Sequence, residues 1–183
     1  MLDKLKQILG DKRIALLGFG LEGQSSFRFF SKHFPEHHFL IADQNTELQN
    51  HTLLQGENIS FSLGKSYLDQ VSIKDFIIKS PGIKIPTTLN IAPNRIYSQT
   101  ELFIQSFSKQ IIGITGTKGK STTASLLFEI LKDQHKKALL IGNIGKPALD
   151  YWDKIEKETW IVFELSAHQL EYTRSSPSYS ILL

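Results

Sequence analysis

Two stretches of this chain carry residue types whose spacing suits phosphate chemistry. The stronger is Thr115-Gly116-Thr117-Lys118-Gly119-Lys120-Ser121-Thr122. A glycine-rich turn between an apolar strand and a helix points successive backbone N–H groups inward, as a nest for phosphate oxygens. In such a turn Lys120 reaches the β- and γ-phosphates as a point charge, and Ser121 Oγ is a ligand for Mg²⁺. The strict pattern has glycine five positions before Gly119. Ile114 stands there, so the loop is a variant with glycines at 113 and 116. The bland alternative is a lysine-bearing surface turn, and the flanking strand and helix patterns argue against it. Glu164 directly follows the apolar run Trp160-Ile161-Val162-Phe163. A carboxylate placed there projects from the C-terminal edge of a sheet, where the loop also lies, and suits Mg²⁺. Its other reading is a salt-bridged strand end.

The second stretch is Gly18-x-Gly20-x-x-Gly23, with Asp43 closing the next apolar run. Glycines after a strand and before a helix permit a tight turn and close backbone approach to a phosphate, and the helix N-terminus adds N–H donors and positive dipole. An acid about 20 residues further on is the usual ribose-binding carboxylate. Read functionally, a nucleotide or nucleotide-sugar binds here, and the motif alone suggests NAD. Read structurally, the glycines serve packing and Asp43 caps a strand end.

The elements that must position these residues alternate short apolar runs with amphipathic stretches, the signature of α/β architecture with mainly parallel strands. Strands are predicted over 13–17, 38–42, 75–79, 94–97, 110–115, 138–141, 159–163 and 179–183. Helices are predicted over 2–9, from Gly23 to Pro35, over 99–107, and over 122–132 with Leu126, Leu127, Ile130 and Leu131 inward. The Phe27/Phe30 and Phe103/Phe107 stripes read as core. The stretch 45–58 is polar and poorly periodic. The expected division is a Rossmann-like domain over 1–108, then the opening part of a second, P-loop ATPase-type domain over 109–183. A strand ending flush with the terminus reads as a truncation, because the loop after such a strand normally carries function.

Composition narrows the classes. The chain has 183 residues, 40% apolar and 21% charged, which excludes wholesale disorder. It has no cysteine, so disulfides and thiolate metal sites are excluded. No apolar run approaches the roughly 18–20 residues of a membrane span, and the N-terminus lacks a secretory pattern. The default location is the cytoplasm. A net charge of +3 suits a phosphate-bearing ligand and falls short of a nucleic-acid binder. Lys132, Lys136 and Lys137 cluster, which reads as a solvated helix end. His168, near Glu164 and Ser166, is evenly balanced between a substrate-facing residue and an ordinary helix position. No protein partner is inferable.

Two nucleotide-type sites in tandem are foreign to a simple dehydrogenase. The residues resemble the Mur ligases of peptidoglycan synthesis. The resemblance rests on Gly18 to Ser25, Ser80-Pro81-Gly82-Ile83, Glu101-Leu102-Phe103, Ile114 to Thr122, Gly142 to Leu149 and Glu164 to Glu171, in family order and spacing. It implies an α/β fold with a Rossmann-like N-terminal domain, followed by the start of a P-loop ATPase-type Mur ligase central domain. It also implies a three-domain enzyme of which this chain is an N-terminal piece, inactive alone. The implied reaction is ATP-dependent amide formation through an acyl phosphate, joining D-glutamate to UDP-N-acetylmuramoyl-L-alanine, with ATP and Mg²⁺ as cofactors. By position, Gly20, Leu21 and Glu22 would meet the diphosphate, Asp43 and Gln44 the uridine, and Ser80, Pro81 and Gly82 the same cleft. Asn143 and Ser166 would serve the substrate from the second domain. The ATP loop would comprise Gly116, Thr117, Lys118, Gly119, Lys120, Ser121, Thr122 and Thr123. Lys120 and Glu164 would be catalytic, with Ser121 and Glu164 near the metal. The sequence departs from the family pattern at Lys118, where asparagine is usual, at Gln99, where an acid is usual, and at Ala167-His168, where Ser-Phe is usual. Alternatives are a ligase of the same family adding another amino acid, and a non-catalytic nucleotide-binding module.

Overall fold

A computed structural model describes residues 2–142 and 147–183. The chain forms two compact units, Met1–Gln99 and Thr100–Leu183. Both are built on parallel sheets.

In the first unit the apolar runs become β1 (Ile14–Leu17), β2 (Phe39–Asp43), β3 (Ile59–Leu63), β4 (Phe76–Lys79) and β5 (Ile96–Tyr97), with helices α1 (Leu2–Leu9) and α2 (Leu21–His33). The strands lie in the order β3-β2-β1-β4-β5, all parallel. β1 and β2 are buried along their length because both faces of the sheet are covered, which is why they read as continuous apolar runs. The α2 phenylalanines do what their spacing predicts. Phe27 meets Phe39 edge-on at 5.2 Å and Phe30 meets Phe76 at 5.9 Å. Each such buried ring is worth about 1.5–3 kcal/mol. Sequence pattern does not single out β3. Its Ser60 and Ser62 alternate with Ile59, Phe61 and Leu63, and Ser60 Oγ turns back to donate to the Phe39 carbonyl at 3.1 Å.

The second unit holds β6 (Ile111–Thr115), β7 (Ala138–Gly142), β8 (Trp160–Glu164) and β9 (Tyr179–Leu182), in the order β7-β8-β6-β9, again all parallel. Its helices are α3 (Gln99–Phe107), α4 (Lys120–Asp133) and the single turn α5 (Ala167–Leu170). The units part at the start of α3, whereas the sequence pattern suggests a division after residue 108. Packing accounts for this: Phe103 meets Trp152 and Phe163 edge-on, and Phe107 meets Trp152 edge-on, with ring centroids 4.9–6.5 Å apart.

Helix α4 corrects one expectation. Leu126 and Ile130 face outward, 61% and 50% exposed, although both are expected inward. The buried stripe is instead Ala124-Leu127-Phe128-Leu131, packed on Ile114 and Val162. This i, i+3, i+4, i+7 phase defines the inward face, and a helix turning about 100° per residue cannot also bury positions 126 and 130.

Candidate functional site

In the first unit, three segments distant in sequence meet at the C-terminal edge of the sheet. Leu17 is in register with Ala42 of β2 and with Lys79 of β4, so the turns after β1, β2 and β4 emerge side by side. Hydrogen bonds then fasten them. The Phe19 N–H donates to Asp43 Oδ2 at 2.6 Å, and Ser80 Oγ donates to the Gly18 carbonyl at 3.0 Å. Asp43 Oδ1 also accepts the Asn45 N–H at 2.8 Å. Both carboxylate oxygens therefore hold backbone, which is the strand-cap reading of this residue in physical form. A carboxylate has about four acceptor positions, so room remains for a ligand hydroxyl or N–H.

The glycines divide by purpose. Gly23 sits against the Gly18 carbonyl, where a Cβ would collide, so it serves close helix–strand packing. Gly20 adopts an ordinary φ and has nothing within 4 Å of its missing Cβ. Packing does not account for that glycine; open backbone beside a ligand would. Gly20 is also the N-cap of α2 and supplies no capping side chain, which leaves helix N–H groups for an anion. Leu21, 76% exposed, Gln44 and Gly82 are exposed at this edge, while Glu22, Ser80 and Pro81 are half-buried. Two residues here have no signal in the sequence. Lys79, only 2% exposed, ends β4. Tyr67 is buried, and burial first, then the nearby Asp43 charge, push its hydroxyl pKa above the ordinary value of 10.

In the second unit the loop runs from β6 into α4. Gly116 takes φ +138°, and its Cα faces the Leu183 backbone closely enough that a Cβ would collide. Gly119 is the α4 N-cap at φ +83°, left-handed backbone that favours glycine, and again caps without a side chain. Thr117, Lys118, Ser121 and Thr122 are exposed around it, and Thr123 is half-buried. Lys120 is half-buried, and its Nζ donates to the Gly116 carbonyl at 2.8 Å.

Glu164 lies where the sequence places it. It is fully buried at the C-terminal end of β8, in register with Ile114 on one side and Gly142 on the other. Ile114 stands one residue ahead of the loop, so the carboxylate-bearing strand end adjoins the strand that feeds it. Ser166 caps α5 in a capping box: its Oγ accepts the Gln169 N–H at 3.3 Å, while Gln169 Oε1 accepts the Ser166 N–H at 3.0 Å. His168 is exposed. Asn143 lies outside the described residues.

The donor set fits the groups the sequence implies. Gly119 leaves room at the loop, a fourteen-residue helix without a side-chain cap begins there, and Lys120 and Glu164 bring one cation and one carboxylate to that end of the sheet. Among the described residues no group of three or more His, Asp or Glu could hold a metal by itself. Mg²⁺ at a phosphate site is generally held by one or two protein ligands plus substrate phosphates and water.

Fold and loops together define an α/β protein with two parallel sheets, each carrying a glycine turn between a strand and a helix. Residues 114–181 match the model of the Mur ligase middle domain. The chain is 29% identical over 188 residues to a UDP-N-acetylmuramoylalanine--D-glutamate ligase of Acetivibrio thermocellus, covering 99% of this chain and 40% of that protein. It is 39% identical over 166 residues to the protein of that name from Buchnera aphidicola, covering 88% and 37%. A solved pseudomurein peptide ligase type C from Methanothermus fervidus aligns over 93% of this chain and 37% of its own, at 20% identity and a TM-score of 0.40. The chain is thus similar to Mur ligases over nearly its whole length, and it spans about 40% of the length of the curated relatives it matches.

Proposed function

We propose that this chain carries the UDP-substrate-binding and ATP-binding parts of a ligase that joins D-glutamate to UDP-N-acetylmuramoyl-L-alanine in peptidoglycan synthesis, in the cytoplasm. One observation carries the reading: the fully buried Glu164 at a strand end in register with Ile114, beside the loop that Lys120 and Gly119 complete. A carboxylate is a poor electrophile and needs activation. Moving the ATP γ-phosphate onto it gives an acyl phosphate, and an amine then displaces phosphate to leave an amide. The protein's share of such transfer is mainly positioning and charge neutralisation.

In this reading the N–H groups at the start of α4 and the Lys120 ammonium receive the β- and γ-phosphates. Ser121 and Glu164 would hold Mg²⁺, which when bound neutralises charge on the phosphates. In the first unit, the open backbone at Gly20, with Leu21 and Glu22, receives the diphosphate. Asp43 and Gln44 flank the uridine, and Ser80, Pro81 and Gly82 line the same edge. Ser166, whose hydroxyl belongs to the α5 cap, acts through that cap, and Asn143 completes the substrate contacts. The names of the relatives support D-glutamate as the amino acid added.

Calorimetric titration with UDP, NAD and a nonhydrolysable ATP analogue with Mg²⁺ tests this. The expected result is UDP bound in preference to NAD, and the analogue bound in a Mg²⁺-dependent manner that Lys120→Ala weakens roughly 10- to 100-fold. A preference for NAD, with no analogue bound, would overturn the ligase reading in favour of a non-catalytic nucleotide module.

A further inference from the structure

The lysine cluster at 132–137 separates in the structure into paired and unpaired members. Lys132 reaches Glu129 and Lys137 forms an ion pair with Glu156. Lys136 is left over, and it lines a cleft of about 350 Å³ together with Lys109 and Lys157. Among the described residues none of these three lysines forms an ion pair, although Glu158 stands on the same cleft. The cleft opens where β6, β7 and β8 begin, the opposite edge of the sheet from the P-loop. A five-residue strand separates the two edges by roughly 16 Å.

The cleft wall that carries Lys157 is built. Gln110 Nε2 donates to the carbonyls of Glu156 and Thr159 at 2.7 and 2.9 Å. The Glu156 N–H donates to Thr159 Oγ1 at 3.0 Å, and the Thr159 N–H returns to the Glu156 carbonyl at 3.1 Å. This closed turn, held further by the Lys137 ion pair, fixes the segment from which Lys157 projects, and the half-buried Trp160 indole forms part of the lining. Three like charges on one cavity repel one another, and a multivalent anion relieves that repulsion. All three cations are lysines and none is an arginine. Point charges of this kind suit a cluster of phosphate oxygens, whereas a planar carboxylate is matched best by the arginine fork.

We propose that the cleft lined by Lys109, Lys136 and Lys157 beside Trp160 is a second anion site, separate from the P-loop, that takes a di- or triphosphate group. The proposal does not depend on the ligase reading.

Amide NMR on the ¹⁵N-labelled chain, titrated with inorganic triphosphate, tests it. To keep the P-loop from competing, the titration is repeated in Lys120→Ala. The amides of residues 109–110, 136 and 157–160 are expected to shift and saturate in both proteins. In the triple variant K109Q/K136Q/K157Q those shifts should weaken at least tenfold, while the rest of the spectrum stays folded. An ATP arm distinguishes sources: equal response to ATP and triphosphate identifies the phosphates as the recognised group, and tighter ATP binding with a shifted Trp160 indole N–H adds the nucleoside. No shift at these amides up to about 10 mM, far weaker than an ordinary ligand, overturns the proposal, and so do shifts that survive the triple substitution.

Discussion

Asp43 Oδ2 accepts the Phe19 N–H at 2.6 Å, and this bond ties the end of β2 to the glycine turn that follows β1. The carboxylate thus shapes the turn from within, besides any contact it makes with a ligand. Asp43→Ala should leave two N–H groups, of Phe19 and Asn45, without their acceptor, costing about 1–3 kcal/mol. It should also weaken UDP binding, since the turn loses its anchor. Asp43→Asn keeps one acceptor oxygen and should cost less on both counts. Thermal unfolding and a UDP titration of each variant check this. UDP affinity unchanged in a folded Asp43→Ala protein would remove the residue from the site.

Lys120 occupies the loop carbonyls of Gly116 at 2.8 Å and Thr117 at 3.4 Å. These contacts are local and partly solvated, so they add little stability, and the ammonium can exchange them for phosphate oxygens. Lys120→Ala should therefore leave the melting temperature nearly unchanged. It should weaken binding of an ATP analogue roughly 10- to 100-fold, the worth of one charged hydrogen bond. UDP binding should be unaffected. A large loss of stability with no loss of affinity would show the lysine to be a structural clip.

Much of this was legible in the sequence where a local pattern fixes a local geometry. The glycine turns follow their strands as spaced, because a buried parallel strand must be continuous and apolar and the turn after it must bend sharply. Glu164 was legible for the same reason, being the first polar residue after an apolar run. Legibility fails where long-range packing decides. β3 hides because a strand with serines at alternate positions lacks a continuous apolar run. Leu126 and Ile130 look inward by composition, yet the phase of α4 is set by Ala124, whose small side chain permits close approach to the sheet. Tyr67 and Lys79 carry no local signal, since burial of a polar residue depends on chain segments that come together only in the fold.

Tyr67 offers a test at alkaline pH. Its hydroxyl pKa is raised above 10, chiefly by burial and secondarily by Asp43. The folded protein therefore retains a proton that the unfolded chain releases above pH 10. The unfolded state binds fewer protons in that window, so stability falls as pH rises from 10 through the folded-state value. Below pH 10 the contribution is fully present. Urea midpoints measured from neutral to strongly alkaline pH should fall less steeply in Tyr67→Phe than in the parent. Parallel curves would show that the hydroxyl titrates as freely folded as unfolded.

Glu101 makes the strongest stability prediction. It is fully buried at the start of α3, yet Arg174 Nε is 3.8 Å away, beyond hydrogen-bond range. The carboxylate is satisfied mainly by other groups. Oε2 accepts the N–H groups of Arg174 at 2.8 Å and Ser175 at 3.1 Å, and Oε1 accepts from Ser175 Oγ at 3.0 Å and Gln105 Nε2 at 2.6 Å. Glu101 thereby clips the chain descending from α5 toward β9 onto α3. Because backbone does the donating, the Arg174–Glu101 ion pair should contribute less than about 1 kcal/mol, the usual worth of a part-exposed pair, and Arg174→Ala should cost less than Glu101→Ala. Glu101→Ala should cost about 3 kcal/mol, since it strands two main-chain donors. Glu101→Gln should rescue only part of that, because both oxygens accept and an amide nitrogen in either place would face a donor. Both tryptophans lie in the second unit, so tryptophan fluorescence in urea reports its stability alone. Amide exchange at Arg174 and Ser175 should accelerate in Glu101→Ala and stay protected in Arg174→Ala. The reverse ranking of the two variants would mean that the guanidinium, and not the backbone, holds the carboxylate.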